Sequence, residues 1–142
     1  MCIRDRAEEA RALGAHHVVS STDAQGLASL ARSFDLLIVT VNVPLDWQAL
    51  MKTLAARGRL HFVGAVLDPV PVPAFALIDG QRCVSGSPVG SAVNMAKMLD
   101  FCARHAILPQ VERFPMSRVN AALDHLRAGK ARYRVVLEAD FT

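Results

Sequence analysis

No hydrophobic run in these 142 residues approaches the length needed to cross a bilayer, which takes about 20 apolar residues. The opening MCIRDRAEEARALGA has no apolar h-region, so no secretory signal is expected. The expectation is a soluble, cytoplasmic protein with no membrane partner. The three cysteines, Cys2, Cys83 and Cys102, have no paired spacing. An odd count without a secretory signal argues against a disulfide framework. Neither Cys-x-x-Cys nor His-Glu-x-x-His occurs, and the adjacent His16 and His17 would point apart on a strand, a poor chelate. No metal ligands are predicted in this chain. Aromatics make up only 6%. The basic cluster RAGKARYR, 127–134, has Tyr133 alone for stacking, despite a net charge of +3. A nucleic-acid face needs a basic surface with stacking aromatics, so nucleic acid is not an expected partner. Catalytic motifs are missing too. Gly86-Ser87-Pro88-Val89-Gly90 is no Gly-x-Ser-x-Gly elbow, no Gly-x-x-x-x-Gly-Lys follows a strand, and Gly-x-Gly-x-x-Gly does not occur.

Apolar residues are nonetheless 52% of the chain and charged residues 20%, a globular balance. The length suits one domain with a sizeable core. The stretch Phe34–Val66 organises the rest. FDLLIVTV (34–41) reads as a strand and NVPLDWQALMKTLAARG as a loop and helix. RLHFVGAV holds a second strand, 60–66. In the helix, Trp47, Leu50, Met51 and Leu54 repeat at helical spacing; Pro44 fits its start and Gly58 its stop. This order is a βαβ unit, which needs a parallel sheet and a right-handed crossover. Both strands are apolar almost throughout, which predicts a sheet covered on both faces.

Around this unit, residues 5–13 read as a short helix with Asp5 as cap, Glu8 at the capping-box position and Gly14 as stop. HHVVSS, 16–21, reads as a strand, and 24–32 as a helix interrupted by Gly26. Asp68-Pro-Val-Pro-Val-Pro73 must be an extended connection. AFALI, 74–78, reads as one or two helical turns, and RCVSG, 82–86, as a strand. Residues 91–106 form a helix whose Met95, Met98, Leu99 and Cys102 stripe is expected to pack inward. A strand at 110–114, a helix at 117–128 capped by Ser117 and stopped by Gly129, and the strand YRVVLE, 133–138, complete the chain. Alternating strands and helices predict an α/β fold. In such sheets ligands bind at the carboxyl ends of the strands. The loops there, 39–43, 64–68 and 86–91, are small, polar or glycine-bearing. The pattern is that of a nucleotide-binding fold without its phosphate-binding turn.

The run from LGAHHVV through FDLLIVTVNVPLDWQALMKTLAARGRLHFVGAV and VSGSPVGSAVNMAKMLDFCARHAI to ARYRVVLE resembles the medium-chain, zinc-dependent alcohol dehydrogenases. The branch it is most similar to is the cinnamyl-alcohol-dehydrogenase-like, NADP-preferring aldehyde reductases. The resemblance covers about Arg6 to Phe141. It implies a partial Rossmann domain over 1–108, lacking its first two strands. Residues 109–142 would be a strand-helix-strand segment that returns to a catalytic domain. Zinc ligands and the glycine-rich turn would lie in parts this chain does not contain, so the chain resembles a C-terminal fragment. The implied cofactor is NADP(H). In the full-length protein the reaction would be hydride transfer between nicotinamide and a small alcohol or aldehyde, with zinc in the other domain. Thr40 resembles the threonine that borders the nicotinamide ribose. Gly64, with Val66, resembles the backbone at the nicotinamide end. Ser87, Pro88 and Val89 resemble the segment whose main chain meets the carboxamide. Arg132 resembles an arginine that reaches the pyrophosphate, and Arg6 a basic residue at the 2′-phosphate. Plainer readings stand beside these: turn capping for Thr40 and Ser87, a solvated helix-start charge for Arg6. A homodimer through the sixth strand, Arg82–Gly86 with the preceding AFALIDG, is also implied.

The Rossmann strand order 3-2-1-4-5-6 would make 16–21 the third strand and 34–41, 60–66 and 82–86 the fourth to sixth. The fourth strand would then have an open apolar edge and the third no neighbour. The expectation is a chain of marginal stability, or one that pairs its third and fourth strands non-natively, with negligible NADPH affinity and no turnover. Two alternatives remain at this point: a fragment of a zinc-free, quinone-oxidoreductase-like reductase, and a stand-alone, non-catalytic α/β binding module.

Overall fold

The computed structural model describes residues 7–141. They divide into two compact units, one ending at Val89 and the other beginning at Gly90. The first holds α1 (Ala7–Ala12), α2 (Ala24–Ser29), β1 (Phe34–Val39), α3 (Trp47–Lys52), β2 (Leu54–Phe62), α4 (Ala74–Ile78) and β3 (Cys83–Gly86). The second holds α5 (Ala92–Arg104), β4 (Val111–Pro115), α6 (Val119–Arg127) and β5 (Arg134–Glu138). The fold is mixed α/β with parallel sheets.

In the first unit the sheet order is β1-β2-β3, all parallel. It is the order expected for the fourth, fifth and sixth strands. α2 and α3 begin where side chains cap them: Asp23 accepts from Gly26 N–H and Asp46, rather than Pro44, marks the start of α3 by accepting from Ala49 N–H, each at 2.9 Å. α1 ends at Gly14, whose φ of +102° suits a residue without Cβ. The core forms where α3 and the strands meet. Val39, Trp47, Met51, Leu54 and Leu60 are buried, with Leu37, Phe62 and Val84 packed on them. The proline-rich connection adds Val70 and Val72, so its extended form lets apolar side chains cover the core. Fully burying Leu54 and Leu60, each 0% exposed, stabilises the unit by about 1.5–3 kcal/mol apiece before entropy is counted.

Several expectations need correction. α3 is shorter than its apolar stripe suggests and Gly58 does not stop it. The carbonyls of Lys52 and Thr53 accept from Arg32, Ser33 and Phe34 N–H groups at 2.8–3.0 Å, so the helix cannot continue. Gly58 instead lies in a bulge. The register jumps from Phe34↔Leu54 to Leu36↔Arg59, and a Cβ on Gly58 would sit 2.8 Å from the Phe34 carbonyl oxygen. Arg82 pins this bulge, with Nε donating to Leu54 O at 3.0 Å and Nη1 to Ala76 O at 3.1 Å.

Residues 16–21 are not a strand. A strand exists through its ladder partner, and among the described residues none pairs with this segment. Pairing of 16–21 with β1 therefore does not form either. The sheet is covered on one face only within its unit. Leu37, Val39, Leu60, Phe62 and Val84 turn to the core, while Leu36 and Ile38 on the other face are 51% and 58% exposed.

In the second unit β4 and β5 pair in parallel and α6 is their crossover. Ala122 and Ala131 are its buried residues. Gly129, at φ +67°, stops α6 as expected. Ser117 is not its cap: a 3-10 turn at Met116–Arg118 precedes the helix. The Ser117 hydroxyl and N–H both donate to Asp140 instead. α5 begins on Ser91, whose hydroxyl accepts from Asn94 N–H at 3.2 Å. Its Met95, Met98 and Leu99 stripe does not pack inward: these side chains are exposed, and no residue of α5 is buried. The spacing marked an amphipathic face but could not supply its partner.

Candidate functional site

Because β1, β2 and β3 are parallel, their carboxyl ends lie along one edge of the sheet. The register sets Val39 beside Phe62 and Phe62 beside Gly86. Thr40, Val63–Gly64 and Ser87 form the next row. Backbone bonds extend the ladder into it. Val63 and Gly64 N–H groups donate to Val39 O at 3.0 and 2.9 Å, and Ser87 N–H donates to Phe62 O at 3.1 Å.

Gly64 lies directly on the Thr40–Val41 backbone. A Cβ there would be 2.3 Å from Val41 O and 2.7 Å from the Thr40 carbonyl carbon, so the approach requires glycine. The structure thus brings Thr40, Gly64 and Ser87 together, with Pro88 and Val89 continuing as exposed chain. Val66 differs, because its side chain packs against the core. It can offer the site only main chain, and its own N–H donates to Gly64 O at 3.2 Å.

Arg132 belongs to the second unit. Its Nη1 donates to the Lys130 and Ala131 carbonyls at 3.2 and 3.4 Å, and its backbone N–H donates to the Glu112 carboxylate. His125 Nε2 holds the other oxygen of Glu112 at 2.5 Å. Arg6 and Asp5 lie outside the described residues.

Sequence reasoning singled out no histidine for the site. His61 stands in the row behind it, with Nδ1 2.9 Å from Ser85 Oγ and Nε2 2.9 Å from Ser87 Oγ. Alternation from Leu60 could have placed His61 on the face away from the core. Its serine partners depend on the β2–β3 register, which no sequence signal carries.

A cavity of about 690 Å³ opens nearby, lined among others by Thr22, Leu27, Pro44, Leu45 and Lys52. It includes the loop between β1 and α3, yet Thr40, Gly64 and Ser87 do not line it. We take the strand ends as the candidate site, because Thr40, Gly64 and Ser87 adjoin there.

Exposed main chain and small polar side chains at parallel strand ends suit a nicotinamide coenzyme. They do not suit zinc. Among the described residues no group of three or more His, Cys, Asp or Glu could hold a metal ion. No helix among them is long and apolar enough to cross a membrane.

Comparison with known proteins gives the family and the fold. The family model for zinc-binding dehydrogenases matches residues 3–104. The aldehyde reductase AdhA of Synechocystis sp. is 52% identical over 125 residues, covering 88% of this chain and 37% of that protein. The structure of a cinnamyl alcohol dehydrogenase from Sorghum bicolor superposes with a TM-score of 0.84 at 32% identity, over 99% of this chain and 40% of that one. A cinnamyl alcohol dehydrogenase from Helicobacter pylori, solved in complex with NADP(H), gives a TM-score of 0.74 at 28% identity, over 93% and 38%. The chain therefore spans about two fifths of the length of these relatives.

Proposed function

The chain belongs to the zinc-binding dehydrogenase family, and on that premise we propose that it is the coenzyme-binding portion of an NADP-dependent alcohol dehydrogenase or aldehyde reductase. The observation that carries this reading is the row at the sheet's carboxyl edge, where Gly64 closes on Thr40 and Ser87 leads into an exposed main chain. Thr40 would border the nicotinamide ribose, the Gly64–Val66 backbone the nicotinamide end, and the Ser87–Val89 main chain its carboxamide. Arg132 would reach the pyrophosphate, for which its planar fork of donors is suited; Arg6 would meet the 2′-phosphate. The coenzyme supplies the hydride; this chain's residues position its nicotinamide and exclude water from one side.

The zinc of the complete enzyme would be held by residues outside this chain, since those described do not fit it. Residues 109–142 would return toward that catalytic portion. A homodimer would form through β3 and the residues at 74–80. β3 pairs on one side only among the described residues, and Phe75 and Ile78 on α4 are exposed, which favours this surface.

Two measurements test the reading. The coding sequence upstream should contain Gly-x-Gly-x-x-Gly and a Cys…Gly-His-Glu zinc pattern. Glycines without zinc ligands would favour the zinc-free reductase branch, and neither pattern would defeat the coenzyme reading. The isolated chain, holding one side of the cleft, should show no micromolar NADPH affinity in a fluorescence titration and no turnover. Micromolar binding would overturn the half-site claim.

A further inference from the structure

His61 lies in the middle of the sheet row Ile38–His61–Ser85. Its neighbours Leu60 and Phe62 turn to the core, so its ring lies on the opposite face. Both ring nitrogens are engaged, at 2.9 Å from Ser85 Oγ and from Ser87 Oγ. A ring held at both nitrogens is fixed in orientation from two sides. Ser85 is inside β3, whereas Ser87 is the first residue beyond it. The Ser87 N–H to Phe62 O bond, 3.1 Å, ties that residue to the sheet. Pro88 then has no N–H to offer and biases Ser87 to extended backbone, while Val89 is 89% exposed. His61 supplies a side-chain tie where the backbone ladder ends.

We propose that His61 is a positioning residue: braced by Ser85, it grips the Ser87 hydroxyl and holds the Ser87–Val89 main chain in place at the site. What that segment meets rests on the coenzyme reading above; the order of the segment does not. The protons can be counted. A neutral imidazole has one N–H and one lone pair, so one serine donates to the ring and the other accepts from it. When Nδ1–H donates to Ser85, Nε2 accepts the Ser87 proton, and Ser87 presents lone pairs to the cleft. When Nε2–H donates to Ser87, the Ser87 proton turns outward. Ser85, without touching the cleft, therefore influences what Ser87 offers there.

Amide hydrogen exchange of the whole chain, followed by NMR, tests this. His61→Phe keeps a ring and removes both nitrogens. Exchange at Ser87, whose N–H is bonded to Phe62 O, should rise roughly five- to tenfold, the loss of one net hydrogen bond, with Leu60 and Val84 moving less than about twofold. His61→Gln offers a donor and an acceptor again and should slow exchange at Ser87 relative to His61→Phe. A ring needed only for packing would gain nothing from glutamine. Ser85→Ala should loosen the same amide, and it decides the matter if His61→Phe does not fold. Unchanged exchange at Ser87, or glutamine no better than phenylalanine, overturns the proposal. The upstream coding sequence tests the coenzyme reading separately, because the isolated chain is expected not to bind. Absence of a Gly-x-Gly-x-x-Gly turn there would count against that reading and leave the exchange result to judge His61.

Discussion

Gly64→Ala should be the most damaging small substitution at the strand ends. The added methyl carbon would meet Val41 O at 2.3 Å and the Thr40 carbonyl at 2.7 and 2.9 Å, about an ångström short of ordinary contact. Those are backbone atoms and cannot rotate aside. The chain must instead move Gly64 away from Thr40–Val41, against the Val63 and Gly64 bonds to Val39 O at 3.0 and 2.9 Å. Forcing a methyl into a packed site costs about 1–3 kcal/mol, and weakening one or two backbone bonds adds about 0.5–1.5 kcal/mol each. A loss of about 2–4 kcal/mol follows, or roughly 8–15 °C in melting temperature for a chain of this size. Urea and thermal unfolding followed by Trp47 emission report it directly. That residue is the chain's only tryptophan, is 4% exposed, and sits 5.4 Å from the Phe62 ring. Gly86→Ala is the control in the same row. Its methyl would meet Phe62 O at 3.3 Å and Phe62 Cβ at 3.7 Å, so it should cost less than about 1 kcal/mol. Equal effects of the two substitutions, or no effect of Gly64→Ala, would refute the steric reasoning.

Arg82→Met keeps the buried stem but leaves the Leu54 and Ala76 carbonyls without the donor that now reaches them at 3.0 and 3.1 Å. With a side chain only 7% exposed, the expected loss is about 2–4 kcal/mol in urea unfolding; under 1 kcal/mol would contradict it. The Ser117 hydroxyl, and then its N–H, hold the Asp140 carboxyl below the ordinary aspartate range. A lowered folded value means the tie contributes fully above about pH 4 and is lost as pH falls through that lowered value. Ser117→Ala should return the Asp140 titration, read by carboxyl carbon NMR, toward the ordinary range, and an unmoved midpoint would sink the assignment. Leu36→Thr with Ile38→Thr, on the bare sheet face, should reduce self-association in sedimentation at a stability cost under about 1 kcal/mol. A large loss of stability would mean that face is not bare in solution.

Much of the first unit was legible in the sequence because its patterns are completed by nearby chain. The apolar runs of β1 and β2, the Trp47 and Met51 stripe of α3, the proline-rich connection and AFALI all find their partners within residues 34–86. The loops 39–43, 64–68 and 86–91 follow from parallel strands alone, once each strand's end is known, whereas Thr40, Gly64 and Ser87 within them were singled out by the family resemblance. Fine register was not legible. β2 advances five positions, from Leu54 to Arg59, while β1 advances two. Only backbone bonding to Arg32–Phe34 decides where α3 stops. The His61–Ser85–Ser87 contacts depend on the same kind of information.

The larger misses share one cause. Residues 16–21 have strand composition but no ladder among the described residues. β1 pairs with β2 and shows a bare edge on its other side. Leu36 and Ile38 are apolar yet exposed, and so is the Met95, Met98 and Leu99 stripe of α5. Apolar periodicity reports that a position is suited to burial; it does not report whether the burying partner is present. A backbone segment without a ladder must satisfy its polar groups with water or turns, as Ser20 and Asp23 do here with a 3.0 Å turn bond. These positions have no covering neighbour among the described residues, and this chain spans about two fifths of the length of its relatives. The strand-end row needs no such neighbour to form, since Gly64 is set on Thr40 by the β1–β2 ladder itself. Binding is different, because a dinucleotide must be enclosed on most of its surface. One side of the proposed cleft can therefore be well ordered while affinity is absent, which is the combination that the unfolding and NADPH titrations should find together.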